Sequence, residues 1–101
     1  STGKRFPTLP DTPTVTEAAG IEGFDFSLWG GLFAPTGTPA AVVRRMNEEV
    51  NRILATPDIR TRMTNDGIEV TQNSPEEFAR FMRDESAKYA RIIRDANITM
   101  E

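Results

Sequence analysis

The chain has 101 residues, 38% of them hydrophobic and 27% charged, with twelve Lys and Arg against fifteen Asp and Glu for a net charge of -3. That balance suits one small globular unit with a modest core, and it lacks the basic face of a nucleic-acid binder. The absence of Cys and His excludes disulfides, thiolate catalysis, the usual zinc ligand sets and imidazole acid–base chemistry.

Residues 1–23 read as a turn-rich connector, because Pro7, Pro10 and Pro13 each push the preceding residue toward extended backbone. Thr14-Val15-Thr16-Glu17 has the form of a capping box that opens a short helix. Gly20 is the natural residue to end it in the left-handed conformation. Phe24, Phe26 and Leu28 then alternate with Asp25 and Ser27, the period of a half-buried strand running to Phe33. Gly30-Gly31 interrupts that strand. Paired glycines there imply a bulge, a bend or a close backbone approach.

Thr38-Pro39 predicts a helix start, with Thr as the cap and Pro at the first helical position. On a wheel of ~100° per residue, Val42, Val43, Met46, Val50, Ile53 and Leu54 share one apolar arc. Glu48 and Arg52 on the opposite face form an i,i+4 pair. Thr56-Pro57 repeats the start signal for a helix reaching about Asn65, which Gly67 would end. Ile68-Glu69-Val70 is the candidate for a second short strand. Ser74-Pro75-Glu76-Glu77 opens a long helix with Pro at the first position and a capping-box Glu. Phe78, Phe81, Met82, Tyr89, Ile92, Ile93 and Ala96 lie on one side of it, and Asn97 is a plausible left-handed terminator.

Few residues offer chemistry. Asp84 with Glu85, or Glu48 with Glu49, point ~100° apart on a helix and cannot converge on one substrate atom. No His is present to activate a Ser or Thr hydroxyl, so no catalytic residue is assigned. Gly30-Gly31 and Gly37 form no phosphate-binding loop. Arg44, Arg45, Arg52, Arg60 and Arg62 cluster loosely, interrupted by Glu48, Glu49 and Asp58; they read as a solvated helix surface or as an anion patch. Glu85 falls inside the apolar arc of the last helix and needs a partner there, because an unpaired buried carboxylate is costly. It is a candidate either for an internal ion pair or for a ligand-facing position. Trp29, at the break in alternation, is a candidate either for core packing or for the mouth of a cleft. No apolar run approaches the ~18 residues of a membrane span, and no signal peptide is visible.

Two spaced motifs carry a resemblance: Leu9-Pro10-Asp11-Thr12-Pro13-Thr14, and Trp29-Gly30-Gly31-Leu32-Phe33-Ala34-Pro35-Thr36-Gly37-Thr38-Pro39. With Ser74-Pro75-Glu76-Glu77-Phe78 and Ala96-Asn97-Ile98, their order resembles the last third of the solute-binding proteins of tripartite tricarboxylate transporters, the Bug family. The resemblance implies an α/β fold: the C-terminal portion of a two-lobed periplasmic-binding-protein-like architecture, helix-rich with one or two short strands. It implies that 1–23 is a connector from the second lobe, and that 24–101 holds a hinge-crossing strand and the closing helices of the first lobe. Pro10, Asp11, Pro13, Thr14, Gly30, Gly31, Pro35, Gly37 and Pro39 would then be hinge and structural positions. The implied protein is a periplasmic receptor, not an enzyme. It captures a small carboxylate without cofactor or metal and hands it to membrane permease subunits. A fragment of such a receptor would hold few ligand contacts, bind poorly alone, and self-associate through its uncovered faces. The rival reading is a free-standing helical protein-interaction module, which would have a complete core of its own.

Overall fold

The computed structural model describes residues 2–100; Ser1 and Glu101, the outer ends of the two expected segments, lie outside it. Four helices follow in order: α1 (Val15–Ala19), α2 (Ala40–Leu54), α3 (Pro57–Asn65) and α4 (Pro75–Asp95). Helix α2 packs on both α3 and α4.

The caps explain the boundaries. Thr14 accepts a hydrogen bond from the Glu17 N–H, and Gly20 closes α1 at φ 68. Ser74 accepts from the Glu77 N–H, with Pro75 at the first helical position of α4. Two helices end in the same way. Gly67 (φ 79) and Asn97 (φ 53) are left-handed, and in each case that residue's own amide and the next one turn back. Gly67 N–H and Ile68 N–H donate to Thr64 and Met63 carbonyls, and Asn97 N–H and Ile98 N–H donate to those of Arg94 and Ile93. These are Schellman motifs, which satisfy carbonyls that a helix end would otherwise strand.

Two expected caps differ. Thr38 does not cap α2: its hydroxyl donates back to the Pro35 carbonyl at 2.7 Å, and Pro39 takes the cap position without a side-chain bond. Thr56 occupies its expected position before Pro57, but its hydroxyl donates to the Ile53 carbonyl and caps nothing. In both, a carbonyl three residues back competes successfully for the hydroxyl proton.

The expected strands are also corrected. Among the described residues neither 24–33 nor 68–70 is a strand. A strand requires a neighbour to share its ladder, and the Ile68 N–H is already committed to the end of α3. The alternation in 24–33 instead seats aromatic rings on α4. Phe24 meets Phe26 edge-on at 4.9 Å, and Phe26 meets Tyr89 at 6.0 Å.

Surface area shows how open this arrangement is. The accessible surface is 8369 Å², whereas a compact monomer of 11.2 kDa would expose about 5,700 Å². The radius of gyration is 16.7 Å, against about 13 Å for a compact chain of this length. No hydrophobic side chain among the described residues is buried, and the one buried residue is Thr14. Leu28 at 102% exposure, Leu32 at 72% and Phe33 at 65% are largely open to solvent. The elements form a layer whose apolar faces are largely uncovered.

Candidate functional site

The connector is organised by a residue that periodicity does not mark. Arg5 donates from Nε and Nη2 to Glu17 Oε2 at 2.8 and 2.5 Å, and from Nη1 to the Pro10 carbonyl at 2.9 Å. One guanidinium fork thereby holds the proline turn against α1. Glu17 was expected to complete the capping box, but its carboxylate is taken by Arg5. That hydrogen bond holds the Glu17 carboxyl below its ordinary range and raises Arg5. Asp11 is exposed at the turn. Pro13 and Thr14 line an open groove of 300 Å³ together with Lys4, Arg5, Thr12 and Ser27.

The 24–33 segment lies along α4. Trp29 meets Phe81 at 5.0 Å and Phe78 at 6.0 Å, both edge-on, and Phe33 meets Phe78 at 5.3 Å. Trp29 is therefore a half-buried packing residue against α4. The two glycines have different reasons. A Cβ on Gly31 would lie 2.5 Å from the Phe78 ring, while one on Gly30 would meet nothing within 4 Å. Close approach is real at Gly31 alone. Beyond it, the Pro35 carbonyl accepts the Thr38 N–H at 3.2 Å, with Gly37 at φ 89 making the turn that leads to Pro39 and α2.

Glu85 has a partner inside the layer. Its Oε1 is 2.9 Å from Lys88 Nζ, with the two side chains 17% and 23% exposed. The ammonium also donates to the Asp25 carbonyl at 2.7 Å. It lies 4.8 Å from the Phe26 ring centre and 5.5 Å from that of Tyr89, within cation–π reach. Neither Trp29 nor Glu85 lines the connector groove or a second groove between Phe6, Pro7, Arg60, Thr64 and Ile68.

A polar clamp beside α2 also escaped the sequence reading. Asn47 and Asn51 both donate from Nδ2 to the Asn73 carbonyl, at 2.8 and 2.9 Å. Gln72 Nε2 donates to the Asn51 carbonyl at 2.6 Å, and its own oxygen accepts from Arg60 at 3.0 Å. The segment before α4 is thus fastened to α2 by side-chain amides. Arg44 reaches Glu76 at 2.5 Å, and the Glu76 carboxyl is lowered first by its own backbone N–H and next by Arg44. Arg45 lies 3.3 Å from Glu49. Arg52 pairs with Glu49 rather than with the expected Glu48, because the i,i+3 geometry also brings helix neighbours together. Four of the five clustered arginines thus have partners on the protein, as a solvated surface requires. No group of three or more acidic side chains placed to hold a metal occurs among the described residues, and no described helix is long and apolar enough to cross a membrane.

This arrangement presents shallow grooves, a pinned aromatic segment and several paired charges. Comparison with known proteins gives the family. The family model of the tripartite tricarboxylate transporter receptors matches residues 1–98. The chain belongs to that family. Members are receptors rather than enzymes. Among its relatives, the UPF0065 protein of the tcbD-tcbE intergenic region of Pseudomonas sp. strain P51 is 40% identical over 89 residues, covering 88% of this chain and 26% of the relative. A UPF0065 protein of Bordetella bronchiseptica is 34% identical over 98 residues, covering 97% of this chain and 29% of the relative. The chain therefore spans little more than a quarter of these relatives' length. No solved structure matches.

Proposed function

We propose that this chain is the C-terminal layer of a two-lobed periplasmic receptor that captures a small carboxylate for a tripartite transporter and delivers it to membrane permease subunits. The family membership supports the receptor class. The observation that carries the structural part is the surface: about 2,700 Å² more is exposed than a compact protein of this mass would show. Matched by an equal area on the surface that covers it, such a surplus would bury about 5,400 Å² in all, at the upper end of obligate interfaces. A free-standing interaction module needs its own core, and no hydrophobic side chain of 2–100 is buried.

On this reading residues 2–23 extend from the second lobe, 24–33 cross between the lobes, and α2 to α4 close the first. Most ligand contacts come from other parts of the receptor. Glu85 is engaged by Lys88, and Arg5, Arg44, Arg45, Arg52 and Arg60 are engaged by partners within the chain, which supports placing most ligand contacts elsewhere. A thermal-shift panel of citrate, other di- and tricarboxylates, acidic amino acids and aromatic acids on this chain tests the assignment. A ligand at 100 times its dissociation constant adds about 2.7 kcal/mol, which for a domain this size is a rise of more than about 10 °C. The reading expects a flat panel. A saturable rise would place the cleft within these residues and overturn it.

A further inference from the structure

Asp25 is bonded in two directions at once. Its carboxylate Oδ1 accepts the Gly3 N–H at 2.9 Å, and its main-chain carbonyl accepts Lys88 Nζ of α4 at 2.7 Å. One residue thus ties the connector, 22 positions earlier, to the last helix, 63 positions later. The two ties differ in kind. The Lys88 side is reinforced by the Glu85 carboxylate and by the Phe26 and Tyr89 rings, so the ammonium is held in place beside the Asp25 carbonyl by several partners at once. The Gly3 side is a solitary bond at the surface. It also depends on the missing side chain: a Cβ on Gly3 would lie 3.1 Å from Asp25 Oδ2 and 3.2 Å from its Cγ.

Between α1 and Asp25 the chain passes two left-handed glycines, Gly20 at φ 68 and Gly23 at φ 73, and a Cβ on either would meet nothing within 4 Å. The segment between them is neither helix nor strand. Glycine admits both signs of φ at little cost, and hinges are short segments that absorb large φ/ψ changes.

We propose that Asp25 is the pivot of a hinge: Lys88 anchors its carbonyl to α4, residues 20–23 are the moving joint, and the Gly3–Asp25 bond is the latch that opens when the connector swings. This names the hinge of the proposed receptor and rests on that reading for its purpose. Its geometry is testable without any ligand, so failure to bind carboxylates would leave the test intact.

The chain has no native Cys, so spin labels can be placed at Ala18→Cys on α1 and Arg83→Cys on α4, both exposed positions. Electron–electron distance measurement should give one narrow distribution. Asp25→Ala should lose that single peak while far-UV circular dichroism keeps the helices. Asp25→Asn, which retains an acceptor oxygen, should preserve it. Gly3→Ala should broaden it by displacing the carboxylate, and this change lies far from any helix should Asp25→Ala fail to fold. Lys88→Met should also lose the peak, with Lys88→Arg restoring it. A broad distribution in the unsubstituted chain would overturn the proposal. So would an unchanged peak in Asp25→Ala and Gly3→Ala, or a loss of peak that always accompanies loss of helix.

Discussion

Gly31→Ala isolates the contact that holds the aromatic segment to α4. The new Cβ would stand 2.5 Å from the Phe78 ring edge and 3.1 and 3.2 Å from its neighbouring atoms, well inside van der Waals contact. Phe78 cannot yield freely, because Trp29, Phe33 and Phe81 surround it at 5.3 to 6.2 Å. Overpacking of this kind costs about 1–3 kcal/mol. Gly31 is not left-handed, so alanine also gains about 0.4–1 kcal/mol by restricting the unfolded chain. The net expectation is a loss of roughly 1–2 kcal/mol, a fall of about 4–16 °C in midpoint for a domain this size. Gly30→Ala supplies the control. Its Cβ meets nothing, leaving only the entropic gain and a midpoint equal to or above the parent. Trp29, the single tryptophan, reports both transitions by its emission. Adding Phe78→Leu to Gly31→Ala should recover part of the loss. Equal midpoints for the two alanine variants would refute the close-approach argument.

Three further outcomes follow from the ion pairs and the amide clamp. The Glu17 carboxyl is depressed by Arg5, so its contribution is complete above the ordinary carboxylate titration at about 4.3 and fades as pH falls through the depressed value. Glu17→Gln should therefore flatten the acid limb of a stability–pH curve, and an unchanged limb would count against the Arg5 bracket. Asn47→Ala and Asn51→Ala should each cost about 0.5–1.5 kcal/mol. The double variant should depart from their sum, because each single change leaves the shared Asn73 carbonyl one donor while either one already loses the bond from Asn51 Nδ2 to Asn47 Oδ1; a double-mutant cycle reads this coupling directly, and a coupling of zero would count against the clamp. Glu85→Gln should destabilise on the order of 1 kcal/mol by weakening the Lys88 pair to a neutral hydrogen bond, and urea midpoints at fixed slope measure it. Unchanged stability there would return Glu85 to the list of ligand-facing candidates.

Local signals in the sequence were legible where the physics is local. Ser74-Pro75, Gly20, Gly67 and Asn97 marked helix ends because capping involves only nearby backbone groups. Phe78, Phe81 and Tyr89 were legible as one face of α4, although a lone layer leaves that face partly open. The alternation at 24–33 suggested a strand, but period two states only which side chains share a side. It does not supply the neighbour that makes a ladder. The Arg5 fork, the Asn47–Asn51 clamp and the Lys88 anchor bridge 12 to 63 positions. No periodicity encodes such pairings. The sequence marked Glu85 as needing a partner but could not say that Lys88, one turn along the same helix, supplies it while also reaching Asp25. The Thr38 and Thr56 hydroxyls show a second limit, since a residue able to cap can equally donate backward.

The most direct test of the central claim, that these residues form an interchangeable closing layer poor in ligand contacts, is a graft. The stretch of this chain matched by the Bordetella bronchiseptica relative, 98 residues long, would replace its counterpart there, and parent and chimera would be melted with and without the carboxylate panel. The account expects the chimera to unfold cooperatively and to keep every ligand-induced shift that the parent shows. A chimera that folds but loses the parent's ligand response would put specificity within these residues, and one that fails to fold would contradict the closing-layer assignment.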